Sequence, residues 1–218
     1  MHAISKTLGE HYAAKFSSHG PTSEGVDWGP DQAKATLRYD KMLAVVTEPA
    51  DRPSLLDVGC GYGGLYQHAL GRKIALSYTG IDVAANMIAW ATEHIPDARF
   101  VQGDVLEAKF DQPFHYVVCN GILTQKLDTP VAEMEPFAGL LIRRLFSLCK
   151  VGAAFNMMTT KVNYSVDNLY YRNPADLLAW CLDEITPHLR LDHSYPLHEY
   201  TVYLYRQPTP PAAAKPKP

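Results

Sequence analysis

The chain has 218 residues, 47% of them hydrophobic and 20% charged, enough to bury a sizeable core and too apolar for a disordered polypeptide. A formal net charge of −3 gives no electrostatic reason to approach a phosphate backbone, which argues against nucleic acid as a partner. No run approaches the ~20 apolar residues of a membrane span and the first residues lack the apolar core of a signal peptide, so the expected location is the cytoplasm, with no membrane partner.

Residues 1–30 are polar and rich in glycine, serine and histidine, and they end in SSHGPTSEGVDWGP, where glycine and proline punctuate a loop. They read as an amino-terminal lid. Asp31 can cap a helix through AKATLRYDKMLAVV, whose Leu37, Met42, Leu43 and Val46 return mostly at helical spacing. From Ser54 to Thr159 five short apolar runs, SLLDVG, LSYTGIDV, ARFVQGDV, HYVVCNGI and GAAFNMMTT, alternate with the helical segments GLYQHALGR, ANMIAWATEH and MEPFAGLLIRRLFSLCK. That alternation predicts a parallel sheet covered on both faces and wound by right-handed crossovers.

The rhythm then changes to a helix, ADLLAWCLDEI, and two strand-like runs, RLDHSY and EYTVYLYR. Too few residues separate these runs for a crossover, so they are predicted to be antiparallel. Residues 207–218, QPTPPAAAKPKP, are proline-rich with nothing to bury, and are expected to be disordered. Cys60, Cys119, Cys149 and Cys181 form no C-x-x-C or C-x-x-H pair and read as buried free thiols.

The stretch SLLDVGCGYGGLY meets two nucleotide-binding patterns at once. Gly59, Gly61 and Gly64 spell the dinucleotide fingerprint G-x-G-x-x-G, whereas Asp57, Gly59, Gly61 and Gly63 spell D-x-G-x-G-x-G. A glycine turn between strand and helix offers backbone N–H groups and a bare surface to a ligand in either case. A carboxylate two residues before the first glycine would repel a pyrophosphate but suits an ammonium group. Asp82, closing the second strand, fits a ribose diol in either cofactor. Asp104, beyond the third, can accept from an adenine amino group, and Met87 can pack on the adenine face. Helix capping competes for Asp82 and Asp104 individually.

LLDVGCGYGG, YTGIDVAANMI, FVQGDV and FHYVVCNGIL together resemble the successive cofactor motifs of the class I S-adenosylmethionine-dependent methyltransferases, over about residues 31–206. The resemblance implies an enzyme of Rossmann-like α/β fold, with a seven-stranded, mostly parallel sheet, an antiparallel last strand and helices on both faces. It implies S-adenosylmethionine as cofactor. Gly59 and Gly61 would pass under the methionine portion and Asp57 would hold its amino group. Asp82, with Val83 beside it, would bind the ribose hydroxyls, Met87 would border the adenine, and Asp104 with the Val105 backbone would read its edge. Asn120 would face the methionine side and the reacting methyl, while Tyr12 and Arg38 would close over the cofactor.

Asn120-Gly121-Ile122-Leu123 is not the N-P-P-Y type motif of enzymes that methylate exocyclic amines, and the same loop lacks the paired glutamates of arginine methyltransferases. MMTTKVNYS lacks the acids of metal-dependent catechol methylation. What remains is metal-independent methylation of an O or N atom of a small-molecule acceptor, a sugar or natural-product intermediate. HGPTSEGVDW and DHSYPLHEYTVYLYR look like a group of small bacterial methyltransferases, which names no acceptor.

His19 in the lid and Tyr170 in the insertion KVNYSVDNLYYRNP are the candidate catalytic groups. A surface turn beside Gly20 and Pro21 competes for His19, and a core-covering role for Tyr170. An NAD-dependent oxidoreductase and a non-catalytic S-adenosylmethionine-binding protein are the alternative functions. A homodimer is left open.

Overall fold

The computed structural model describes residues 1–47 and 51–208, so the proline-rich tail lies outside the described residues from position 209 on. Strands β1 (Ser54–Val58), β2 (Ser77–Asp82), β3 (Arg99–Gln102), β4 (Phe114–Cys119), β5 (Cys149–Thr159), β6 (Tyr171–Arg172), β7 (Leu189–Asp192) and β8 (Glu199–Tyr205) form one eight-stranded sheet. Seven lie on the path β3-β2-β1-β4-β5-β8-β7, and the two-residue β6 pairs with the end of β5, beyond the point where β4 stops. The first five strands run parallel. β8 is antiparallel to both β5 and β7, as the short connection between the last two runs requires.

The near-continuous apolar strands are explained by cover on both faces. Leu55, Tyr116, Val118 and Ala154 join a core with α2 (Gln32–Leu43) and α3 (Gly64–Gly71). Their chain neighbours Leu56, Val117, Cys119 and Phe155 join a second core with α5 (Val131–Leu148) and α6 (Pro174–Glu184). Successive side chains point to opposite faces, so each strand serves both cores. Asp31 caps α2 as its sequence predicts, accepting the Ala33 N–H at 3.0 Å. Asn173 caps α6 with Pro174 in its first turn. The four cysteines are buried and free.

The loop predicted from SSHGPTSEGVDWGP starts only at Gly20, and the polar residues before it, whose composition predicts no element, are helical. Ala3–His19 form a 17-residue helix, α1, begun by His2, whose Nδ1 accepts the Ile4 N–H at 3.2 Å. Its buried Ile4, Leu8 and Phe16, with the half-buried Tyr12, recur every fourth position and share one stripe. α1 packs against α4 (Ala85–His94) and a short 3₁₀ turn, Glu24–Val26, and so lies over the carboxyl ends of the strands. No helix among the described residues is long and apolar enough to cross a membrane.

Candidate active site

The strand order reverses between β1 and β4, and open α/β sheets hold ligands in the crevice beyond the strand ends at such a point. A cavity with about 920 Å³ of empty space, counting the solvent at its mouth, opens there. The ends of β1 to β4 contribute Asp57, Asp82, Asp104 and Asn120 to its walls. α1 roofs it with Leu8, Gly9 and Tyr12, the 3₁₀ turn adds Val26 and the segment behind it Trp28.

The turn between β1 and α3 carries Gly59 at φ +74° and Gly61 at φ +54°. Both lie in the left-handed region that side chains avoid. A Cβ on Gly59 would stand 2.7 Å from Ile122 Cδ1, so glycine leaves a bare backbone against the cavity. The turn is held by three bonds to the second strand: the N–H groups of Gly59 and Cys60 donate to the Ile81 carbonyl at 2.8 and 3.3 Å, and Gly61 N–H donates to Asp82 Oδ2 at 2.9 Å.

Asp57 is buried, and its Oδ2 accepts the Tyr78 hydroxyl at 2.7 Å. Burial pushes its carboxyl up to about 7, against the lowering effect of that bond and with a further push from Asp82. Asp82 is also raised by burial, although its oxygens accept the N–H groups of Ala84 and Gly61. Asp104 accepts from Leu106 N–H at 3.0 Å and His2 N–H at 2.9 Å. Both acids therefore do local backbone bonding, and a carboxylate oxygen retains a second lone pair for a ligand. Tyr12 is raised by burial first, then by Asp27 and Asp82, with Arg38 pulling the other way, so its hydroxyl stays a donor. Asn120 is buried, and neither atom of its amide has a partner among the described residues. A polar group so placed is costly unless a ligand completes it.

Ten of the sequence-derived residues converge on this cavity: Tyr12, Asp57, Gly59, Gly61, Asp82, Val83, Met87, Asp104, Val105 and Asn120. Arg38 stands behind the wall, its guanidinium 5.1 Å from the centre of the Trp28 ring. The structure does not bring His19 or Tyr170 to the cavity. His19 is exposed at the end of α1 beside Gly20, and Tyr170 is fully buried in the α5-side core, where burial and Glu135 push its hydroxyl up to about 12. Neither is placed to take a proton from an acceptor in the cavity. Sequence reasoning named the lid and Tyr12 but missed the helix that carries them, which the fourfold spacing of Ile4, Leu8, Tyr12 and Phe16 signals, and it missed Ile122, Phe137 and Leu141, whose apolar character carries no such mark. No group of three or more His, Cys, Asp or Glu side chains among the described residues could hold a metal ion.

Residues 55–137 match the family model described as a methyltransferase domain. Rv1506c of Mycobacterium tuberculosis, classed by name with the methyltransferases, is 30% identical over 159 residues, 72% of this chain and 95% of that protein. A trans-aconitate 2-methyltransferase of Yersinia pestis is 28% identical over 109 residues, 48% of this chain and 42% of that relative, so the chain spans under half of that relative's length. Among solved structures, the Burkholderia thailandensis 1,6-didemethyltoxoflavin-N1-methyltransferase with bound 1,6-didemethyltoxoflavin and S-adenosylhomocysteine superposes with a TM-score of 0.64. That match covers 94% of this chain and 91% of the other at 17% identity, a likeness of fold.

Proposed function

This chain belongs to the class I S-adenosylmethionine-dependent methyltransferases, and we propose that it methylates an oxygen or nitrogen atom of a small metabolite. The observation that carries the reading is the convergence of three buried or half-buried acids, Asp57, Asp82 and Asp104, on one cavity floored by bare glycine backbone. The residues present fit the cofactor. Asp57 suits its ammonium group, Asp82 its ribose diol and Asp104 its adenine amino group. The Gly59–Gly61 turn gives room that a Cβ would fill, and the unpartnered Asn120 amide supplies polar contacts at the methionine end.

When bound, S-adenosylmethionine supplies an electrophilic methyl group on a sulfonium, displaced by attack in line with the carbon–sulfur bond. This chain's contribution is orientation and exclusion of water. Asn120 and Tyr12, both on the wall, would face the reacting end, with α1 and Trp28 covering it. Holding two reactants in line can contribute up to about 7–11 kcal/mol. Neither His19 nor Tyr170 lines the cavity, so neither is assigned the role of a base. The trans-aconitate and toxoflavin enzymes act on small molecules, which supports an acceptor of that size.

Calorimetric titration with S-adenosylmethionine, S-adenosylhomocysteine and NAD in parallel tests this reading. Saturable binding of the first two and none of NAD is the expected result. Binding of NAD alone would overturn the assignments of Asp57 and Asp104.

A further inference from the structure

Behind the methionine end of the cavity lies a chain of buried polar contacts that the cofactor motifs do not include. Glu199, the first residue of β8, is 2% exposed. Its Oε1 accepts from Arg38 Nε at 2.8 Å and lies 2.6 Å from Arg38 Nη2. Its Oε2 accepts from Nδ2 of Asn156, a β5 residue also 2% exposed and diagonal to Glu199 across the β5–β8 ladder. The Asn156 amide is thereby oriented, and its Oδ1 accepts the Gly121 N–H at 2.8 Å. Gly121, at φ +96°, is the residue after Asn120.

Arg38 spends one edge of its fork on Glu199. Its remaining nitrogen, Nη1, is buried with no partner among the described residues. The guanidinium lies over Trp28 and lowers the pKa of the Tyr12 and Tyr39 hydroxyls against their burial, and all three rings line the cavity. Arg38, behind the wall formed by Trp28 and Tyr39, thus keeps an unpartnered nitrogen, Asn120 on the wall keeps an unpartnered amide, and one carboxylate is bonded to the first directly and, through Asn156 and the Gly121 N–H, to the neighbour of the second.

We propose that Glu199 is the positioning residue for the amino-acid end of the cofactor. It aims the free guanidinium edge of Arg38 at the cofactor's carboxylate, and through Asn156 it fixes the turn that presents Asn120. The inference rests on the cofactor reading above. A buried ion pair adds little net stability, because desolvation offsets the attraction; what it fixes is geometry. Glutamine cannot substitute. It has one acceptor oxygen where Glu199 uses two, so its amide N–H would face a donor of either Arg38 or Asn156.

The test compares two probes, S-adenosylhomocysteine and methylthioadenosine, which shares the adenosine and sulfur but lacks the amino acid. Wild type is expected to bind both. Glu199→Gln and Arg38→Met are each expected to weaken S-adenosylhomocysteine by about tenfold or more while moving methylthioadenosine by less than about twofold. The double variant should be no weaker than Glu199→Gln alone, because Glu199 acts through both Arg38 and Asn156 and its loss already contains the loss of the Arg38 arm. Additive losses, equal loss of both probes, or a wild-type affinity in Glu199→Gln would overturn the proposal. Should Glu199→Gln not fold, Arg38→Lys keeps the charge and removes the planar fork, and selective loss of S-adenosylhomocysteine is required of it. A wild-type protein that binds neither probe removes the cofactor reading itself, whereas normal binding by the variants removes only the role of Glu199.

Discussion

Asp57 is the residue on which ligand-free stability and cofactor binding pull in opposite directions. Its carboxyl ordinarily titrates at 3.8 and is pushed up to about 7 by burial and by Asp82. The groups around it are Tyr78, which donates to it, and Asp82, Cys60, Cys119 and Tyr39, none of them a cation. The folded chain therefore holds a proton at Asp57 that the unfolded chain releases above pH 3.8, and this contribution to stability is lost as pH rises toward 7. Keeping the site ionised at pH 8 costs the ligand-free fold on the order of 4 kcal/mol. Asp57→Asn is expected to raise the unfolding midpoint at pH 8 and to flatten the slope between pH 4 and 7, read by thermal melts. The bound ammonium favours the ionised form, so wild-type affinity for S-adenosylhomocysteine should fall by about tenfold per pH unit below 7, and in Asp57→Asn it should be weak and flat. A wild-type affinity independent of pH would separate Asp57 from the ammonium group. This acid was legible because it stands in a local strand-turn pattern. Glu199 and Asn156 were not, because in EYTVYLYR and GAAFNMMTT they read as ordinary strand residues until β8 is laid beside β5.

At the scale of elements, α1 shows what the sequence held and what hid it. Its composition reads as loop, while Ile4, Leu8, Tyr12 and Phe16 at every fourth position carry the helix. The five parallel strands and the reversed pair were legible because apolar runs bounded by glycine or aspartate are set locally. β6 was not, because two residues have no periodicity and pair only where β5 outruns β4. Tyr170 fell to the core and His19 to the surface for a similar reason: a side chain's direction at the end of a helix or an insertion is decided by packing, not by neighbours in sequence. Gly9 makes the α1 contact testable. Alanine in a helix interior is favoured over glycine by roughly 0.5–1 kcal/mol. At this position, however, a Cβ would stand 2.4 Å from Val83 Cγ2, a wall residue beside Asp82. Gly9→Ala is therefore expected to weaken S-adenosylhomocysteine binding by about tenfold, against its better helix propensity, by lifting α1 off the site. Adding Val83→Ala makes room for the new methyl and should recover part of the affinity. Full binding by Gly9→Ala alone would mean that α1 does not close on the cofactor.

Across the whole molecule, α1 and the loop after β4 meet at the Asp27 carboxylate, and the loop after β5 joins them through Gln125. His11 Nε2 lies 2.9 Å from its Oδ2 and Lys15 Nζ 2.8 Å from its Oδ1, both from α1. Gln125, in the loop after β4, donates to Oδ2 at 3.1 Å, and Asn168, from the loop after β5, donates to Gln125 Oε1 at 3.2 Å. Val26 and Trp28 flank Asp27 in sequence and Asn120 and Ile122 shortly precede Gln125, and all four line the cavity, so this one group ties the segment under α1 to the loop after β4. Partly exposed pairs of this kind are each worth about 0–1 kcal/mol, small beside the burial that holds the sheet. Opening the roof should therefore cost much less than unfolding the chain, which is what a site that must admit and release its cofactor needs. Asp27→Asn tests this cleanly. Asp27 sits at φ +58°, a conformation that asparagine tolerates and alanine does not, so the backbone is preserved while the charge is lost. Losing about 1 kcal/mol moves the unfolding midpoint by only about 2–4 °C in a chain of this size. The dissociation rate of S-adenosylhomocysteine, followed by stopped-flow tryptophan fluorescence, should rise by about fivefold or more, because the same ~1 kcal/mol comes off the barrier to opening. A rate that stays at the wild-type value while the midpoint falls would place Asp27 in the stability of the fold and not in the gate.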